Sequence, residues 1–161
     1  MPPSRDIDIL LVENDSSDAE LTIHTLRKNN LANSVHVVED GEEALDFLFC
    51  RRRYEDRSIL DRPRVILLDL KLPKVEGLDV LRALKNERAT RAIPVVILTS
   101  SREPKDLIEG YRLGASAYVQ KPVDFDQFRQ TIREIGLFWI ILNQPPPTEA
   151  FEADPSAPGA L

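Results

Sequence analysis

Short apolar runs alternate with amphipathic segments along this chain, and that alternation leaves few folds open. Ile7 to Val12 is an apolar run broken only by Asp8, and Val65 to Leu68 and Pro94 to Leu98 repeat it at intervals of helical length. Runs of this kind suit strands buried on both faces. Val35 to Val38 and Ala117 to Val119 are shorter strand candidates. Between them, Ala19, Ile23 and Leu26 line one helix face, Ala44, Leu45, Leu48 and Phe49 a second, and Leu78, Leu81 and Leu84 a third. Lys105 to Leu113 and Asp124 to Leu142 complete the set of helices. A parallel crossover needs a helix and is right-handed, so the predicted class is α/β. The expected architecture is a doubly wound, five-stranded parallel sheet with strand order 2-1-3-4-5.

At 161 residues the chain holds one ordinary core. Residues 6–142 are expected to form it, after a short lead over 1–5. The segment 143–161, rich in proline and alanine, is expected to be a disordered tail. A net charge of -6 argues against general affinity for nucleic acid or anionic membrane. The most apolar stretch, Ile135 to Leu142, is too short to span a bilayer, and no charged-then-apolar leader opens the chain. The expected location is the cytoplasm. Cys50 has no second cysteine to pair with and reads as a helix-end residue. Arginines 51, 52, 53, 57, 62 and 64 form a local basic patch, read as a solvated face or a dock for an acidic partner. His24 and His36 fall off the strand ends and read as surface or strand residues.

Ligands of open parallel sheets bind beyond the carboxyl ends of the strands. Here the first strand ends in Glu13-Asn14-Asp15, the third in Asp69, the fourth in Thr99-Ser100-Ser101 and the fifth in Lys121-Pro122. Any one of these would be an ordinary wet strand end. Together they are the parts that aspartyl phosphorylation needs: an acceptor carboxylate, acids for a divalent cation, an ammonium and a hydroxyl to neutralise phosphoryl oxygens.

Over residues 6 to 142 the sequence resembles the receiver domain of two-component response regulators, a flavodoxin-like fold. Val65-Ile66-Leu67-Leu68-Asp69-Leu70-Lys71-Leu72-Pro73 with Gly77 resembles the phosphoacceptor stretch. The resemblance implies that Asp69 is phosphorylated and that Lys71 lends its backbone carbonyl to Mg²⁺. Pro94 to Ser100 resembles the fourth strand, with Thr99 as the phosphoryl-binding hydroxyl. Gly114 to Pro122 resembles the fifth, which implies Lys121 as the phosphate-binding lysine, a cis peptide before Pro122 and Tyr118 as an aromatic switch. Activation in the family draws the hydroxyl inward and turns the aromatic ring, which remodels the surface of the fourth helix, fifth strand and fifth helix. A plain half-buried strand tyrosine is the other reading of Tyr118.

One position departs from the family. The first strand ordinarily ends in two acids, the second almost always Asp, and here the pair is Glu13-Asn14. An amide oxygen is a neutral, weaker ligand. The cation is expected to rest on Glu13, Asp69 and the Lys71 carbonyl with weakened affinity, Asn14 contributing weakly or through water. Asp15 reaching the site by a one-residue shift is the alternative.

Arg53-Tyr54-Glu55, Arg62-Pro63, Leu70 to Lys74 and Phe138-Trp139 resemble the small regulators that serve phytochrome-type histidine kinases. That implies a sensor histidine kinase, such as a bacteriophytochrome, as partner. On the last helix Phe125, Phe128, Ile132, Ile135, Trp139 and Leu142 follow one core stripe. Leu137, Phe138, Ile140 and Ile141 do not share it and are expected to form a homodimer or partner surface. A tail folding back over them is the alternative. Two rival functions remain. A haloacid-dehalogenase-like phosphatase would carry a second Asp where Lys71 stands, which speaks against it. A pseudo-receiver would keep the fold but have lost phosphorylation through Asn14.

Overall fold

The computed structural model describes residues 7–32 and 34–153. The expected lead, residues 1–5, and the end of the expected tail, residues 154–161, lie outside these residues. The strands are β1 (Ile9–Val12), β2 (Val35–Val38), β3 (Val65–Leu68), β4 (Val95–Thr99) and β5 (Ala117–Gln120). The helices are α1 (Ser16–Lys28), α2 (Gly41–Leu48), α3 (Gly77–Asn86), α4 (Pro104–Arg112) and α5 (Phe125–Gly136). All strand pairs are parallel, and the order is β2-β1-β3-β4-β5. The fold is therefore the expected flavodoxin-like, doubly wound sheet.

The period of two along each strand divides the core. Leu10, Val12, Ile66, Leu68 and Ile97 face the layer of Phe47, Val80, Leu81 and Leu84 from α2 and α3. Ile9, Leu11, Leu67, Val96 and Leu98 face Leu26, Phe128 and Ile132 from α1 and α5. The register places Val12 beside Leu68 and Thr99 beside Gln120, so the strands end nearly level. Backbone bonds then carry the chain one residue further: Asp69 N–H donates to Val12 O at 3.0 Å and Lys121 N–H to Thr99 O at 2.7 Å. Aspartates start three helices at this same end. Asp15 accepts from Asp18 N–H, Asp40 from Glu43 N–H and Asp124 from Gln127 N–H, which satisfies otherwise orphaned first-turn donors.

Three expectations are corrected. No peptide among the described residues is cis, so the bond before Pro122 is trans. Trans is the lower-energy isomer even before proline. Second, the last helix does not run as a uniform α-helix to Leu142. From Leu137 to Leu142 it widens into a π-helix, with Asn143 N–H donating to Phe138 O. The wider turn shifts the phase, so Ile140 is buried against the α1/α5 layer rather than exposed, while Leu142 is exposed. Phe125, also assigned to the core stripe, is 67% exposed because it opens α5 at the edge of the sheet.

Third, the described part of the expected tail is packed. Residues Thr148–Phe151 form a 3-10 turn, and Phe151 is 7% exposed, joined to the core layer of α2 and α3. The Arg62 guanidinium lies 3.6 Å from its ring centroid while Arg62 Nε donates to Ala89 O at 2.9 Å. A single aromatic thus anchors a segment whose composition otherwise offers little to bury. The arginine patch is solvated at Arg51, Arg52 and Arg53, as expected, and several of its members also find partners. Arg52 pairs with Glu42 and Arg53 with Glu43; Arg57 covers the Phe47 ring at 3.6 Å and donates to the Phe47 carbonyl. These residues tie the 50–63 connection to α2. His36 joins the same network, stacked on Phe47 and 3.0 Å from the Tyr54 hydroxyl.

Candidate functional site

Five of the eight polar residues buried among the described residues collect where the strands end. Glu13, Asp69, Thr99, Ser101 and Lys121 are each less than a tenth exposed. Glu13 and Asp69 follow two neighbouring central strands, so their side chains emerge side by side. Lys121 reaches across from the end of β5. Its ammonium contacts Glu13 Oε1 and lies 2.9 Å from both Asp69 Oδ2 and Asp18 Oδ2. Lys71 N–H donates to Asp69 Oδ1 at 3.3 Å. Gly77 lets this turn close: a Cβ there would sit 2.3 Å from the Asp69 carbonyl oxygen.

This geometry sets the charges. Burial alone would raise Asp69, but the Lys121 ammonium, a hydrogen bond with Glu13 and the Lys71 N–H hold it below the ordinary carboxylate range. Glu13 goes the other way: burial, helped by the charge on Asp69, pushes it up to about 7 despite Lys121. Burial works against the charge on Lys121, yet hydrogen bonds to Glu13, Asp18 and Asp69 raise it above the usual lysine value. Two adjacent acids with separated proton affinities leave Asp69 as the anion, which is the form a nucleophile needs.

Thr99 is fully buried at the end of β4, and its Oγ accepts from Ser101 N–H at 3.2 Å. Ser101 Oγ in turn donates to Asp106 Oδ2 at 2.5 Å. Tyr118 packs against the core with its ring near Gly110, where a Cβ would come within 3.3 Å of it. Its hydroxyl is the one buried side-chain polar atom among the described residues with no hydrogen-bond partner. Beside the acids lies a groove of about 640 Å³, lined by Asn14, Lys71, Leu72, Glu103, Lys105 and Asp106 among others.

The strand-end residues read from the sequence thus occupy one rim, with Glu13, Asp69 and Lys121 in direct contact. Asn14 is exposed in the groove rather than among the acids. Asp15 is engaged in capping α1. Sequence reasoning missed Asp18. The signal was available: with Asp15 as cap, Asp18 falls in the first turn of α1, and that turn opens at the rim. Among the described residues no three acids or histidines are spaced to hold a metal ion. Two buried carboxylates at one locus, all oxygen donors, do fit Mg²⁺, which takes one or two carboxylates and keeps several waters.

A buried acid, a lysine and a hydroxyl on the carboxyl rim of a five-stranded parallel sheet are the arrangement expected of a receiver domain. The chain belongs to that family: the response regulator receiver domain pattern matches residues 9–133. Response regulator Rcp1 of Synechocystis sp. (strain ATCC 27184 / PCC 6803 / Kazusa) is 34% identical over 132 residues, 82% of this chain and 88% of that protein. The crystal structure of the Mn²⁺-bound form of Rcp1 superposes with a TM-score of 0.81 at 33% identity, over 86% of this chain and 98% of that one. The bacteriophytochrome response regulator RtBRR is 50% identical, with a TM-score of 0.68 over 89% of this chain and 87% of that one.

Proposed function

We propose that this receiver takes a phosphoryl group onto Asp69 from the phosphohistidine of a sensor histidine kinase and signals by phosphorylation-dependent binding to other proteins. The observation that carries the reading is the ionised, buried Asp69 within reach of Lys121 and beside Glu13. In the transfer an Asp69 Oδ attacks phosphorus, the phosphorus–nitrogen bond breaks and the imidazole leaves. Lys121 neutralises a phosphoryl oxygen, and the Thr99 hydroxyl, whose oxygen accepts from Ser101 N–H, turns its own proton to another. Glu13, Asp69 and the Lys71 carbonyl would hold Mg²⁺, with Asn14 weakening its affinity. The cation supplies charge neutralisation at the phosphoryl oxygens. The shift of Thr99 frees the loop before α4, and Tyr118, whose hydroxyl lacks a partner, is the ring that responds.

The likeness to RtBRR supports a kinase of the bacteriophytochrome class, and the receiver chemistry supports a cytoplasmic setting. Among the described residues no helix is long and apolar enough to cross a membrane. Leu137, Phe138 and Ile141, each about half exposed, with Leu142, form an apolar patch that suits a homodimer. Light scattering at high concentration checks it; a monomer refutes the dimer.

Intact-protein mass spectrometry after incubation with Mg²⁺ and acetyl phosphate tests the central reading. One phosphoryl adduct is expected, absent in Asp69→Asn. Asn14→Asp should raise Mg²⁺ affinity by about tenfold, since it replaces a neutral ligand by an anion. The exposed position of Asn14 favours a second reading, a pseudo-receiver that binds partners without phosphorylation. No adduct, even in Asn14→Asp at high Mg²⁺, is its signature.

A further inference from the structure

An ammonium has three donors, and Lys121 directs them at three carboxylates: Glu13, Asp18 and Asp69. In phosphoryl transfer, the reading on which this inference rests, two of those carboxylates are called away. Asp69 becomes the acyl phosphate, and Glu13 turns to the cation. Asp18 is the only one of the three with no second duty. Its place is fixed by the main chain: Asp18 N–H is held by the Asp15 cap at 2.9 Å, and Asp18 O accepts from Thr22 Oγ at 2.7 Å. Thr22 and Ala19 are buried beneath it, so the first turn of α1 is a rigid mount. Lysine, by contrast, is a long flexible chain that loses much rotamer freedom when it is held.

We infer that Asp18 is a positioning residue for Lys121, keeping its ammonium over the acceptor oxygen of Asp69 once Glu13 has turned to the cation. Asp18 then acts through Lys121 and not as a ligand of the metal.

The test uses the full chain as Asp18→Asn and Asp18→Glu, with three readouts. Phosphoryl uptake from acetyl phosphate at saturating Mg²⁺ should slow about tenfold in Asp18→Asn, the scale of one charge-assisted hydrogen bond lost, and recover largely in Asp18→Glu. Mg²⁺ affinity by calorimetry should stay within about twofold of the parent, since no ligand is removed. The Lys121 ammonium should give a slowly exchanging nitrogen-15 signal in the Mg²⁺-loaded parent that is lost in Asp18→Asn. Unchanged uptake in Asp18→Asn overturns the inference. So does a loss of Mg²⁺ affinity with normal uptake at saturating metal, which would make Asp18 a ligand. If the parent takes no phosphoryl group, the phosphotransfer reading falls, and the Lys121 signal still decides the role of Asp18: its persistence in Asp18→Asn refutes the tether.

Discussion

Phe151→Ala measures how firmly the segment after the last helix is held. Phe151 is the only buried residue between Ile141 and Ala153, so the anchor is one ring. Burying about 200 Å² of that ring at about 25 cal/mol per Å² is worth about 5 kcal/mol. Fixing the turn Thr148–Phe151 costs about 1 kcal/mol for each residue, and the Arg62 cation over the ring returns about 1 kcal/mol. The segment therefore docks with roughly 2 kcal/mol in hand, and the alanine variant can lose no more than that, because the strap peels away before the domain unfolds. Phe47 is the contrast: it is 1% exposed, enclosed by His36, Tyr54 and Arg57, and has no such escape. Phe47→Ala should cost about 3–5 kcal/mol. Urea unfolding of both variants gives the comparison, and limited proteolysis should show 143–153 cut faster in Phe151→Ala with the 7–142 core intact. Equal destabilisation by the two substitutions, or an unchanged cleavage rate, would refute the reasoning.

Lys121→Met leaves Glu13 and Asp69 buried without their counter-charge, so it should destabilise the metal-free protein by about 3–5 kcal/mol, with added Mg²⁺ restoring part of the loss in the same urea titration. Because a protonated Glu13 cannot bind a cation, Mg²⁺ affinity should fall about tenfold for each pH unit below about 7 and level off above it, as calorimetry across pH would show. In the metal-free protein the Glu13 proton is held more tightly when folded, so its stabilisation is full below its ordinary 4.5 and is lost as pH rises through about 7. Asp69, held below its ordinary range, contributes with the opposite sign and is lost on acidification. Tyr118→Phe removes a buried hydroxyl that has no partner, and should raise the unphosphorylated protein's urea midpoint by the equivalent of about 1 kcal/mol; a lower midpoint would show that the hydroxyl is satisfied in solution.

The sheet was legible because its central strands β1, β3 and β4 are buried on both faces: Leu10-Leu11-Val12 and Val65 to Leu68 carry no polar residue that could face water, and such runs suit a doubly covered parallel sheet. The rim was legible for the same reason, since strand order fixes which residues end together. What escaped was set by contacts that local pattern does not encode. Ile140 went inward because one wide turn changed the phase of a stripe read at a uniform helical period. Phe151 is a lone aromatic in a proline-rich stretch, and nothing nearby announces the Arg62 and α2/α3 surface it meets. The arginines of the 50–63 connection read as a solvated face, and their partners Glu42, Glu43 and the Phe47 ring went unseen because they belong to α2. Asp18 was passed over because a helix-opening acid is ordinarily explained by capping alone.

The π-helix at Leu137–Leu142 amounts to one residue more than an α-helical path would need. The apolar end of this helix therefore has two readings in one sequence, and a single deletion would exchange them. Removing one residue there would let the α-helical ladder continue and rotate every later side chain by a fraction of a turn, bringing a different member of the group Ile140, Ile141 and Leu142 against α1. Length, at this point, selects which greasy face the molecule shows, and an insertion or deletion of one residue exchanges that face while every side chain of the Asp69 rim stays where it is.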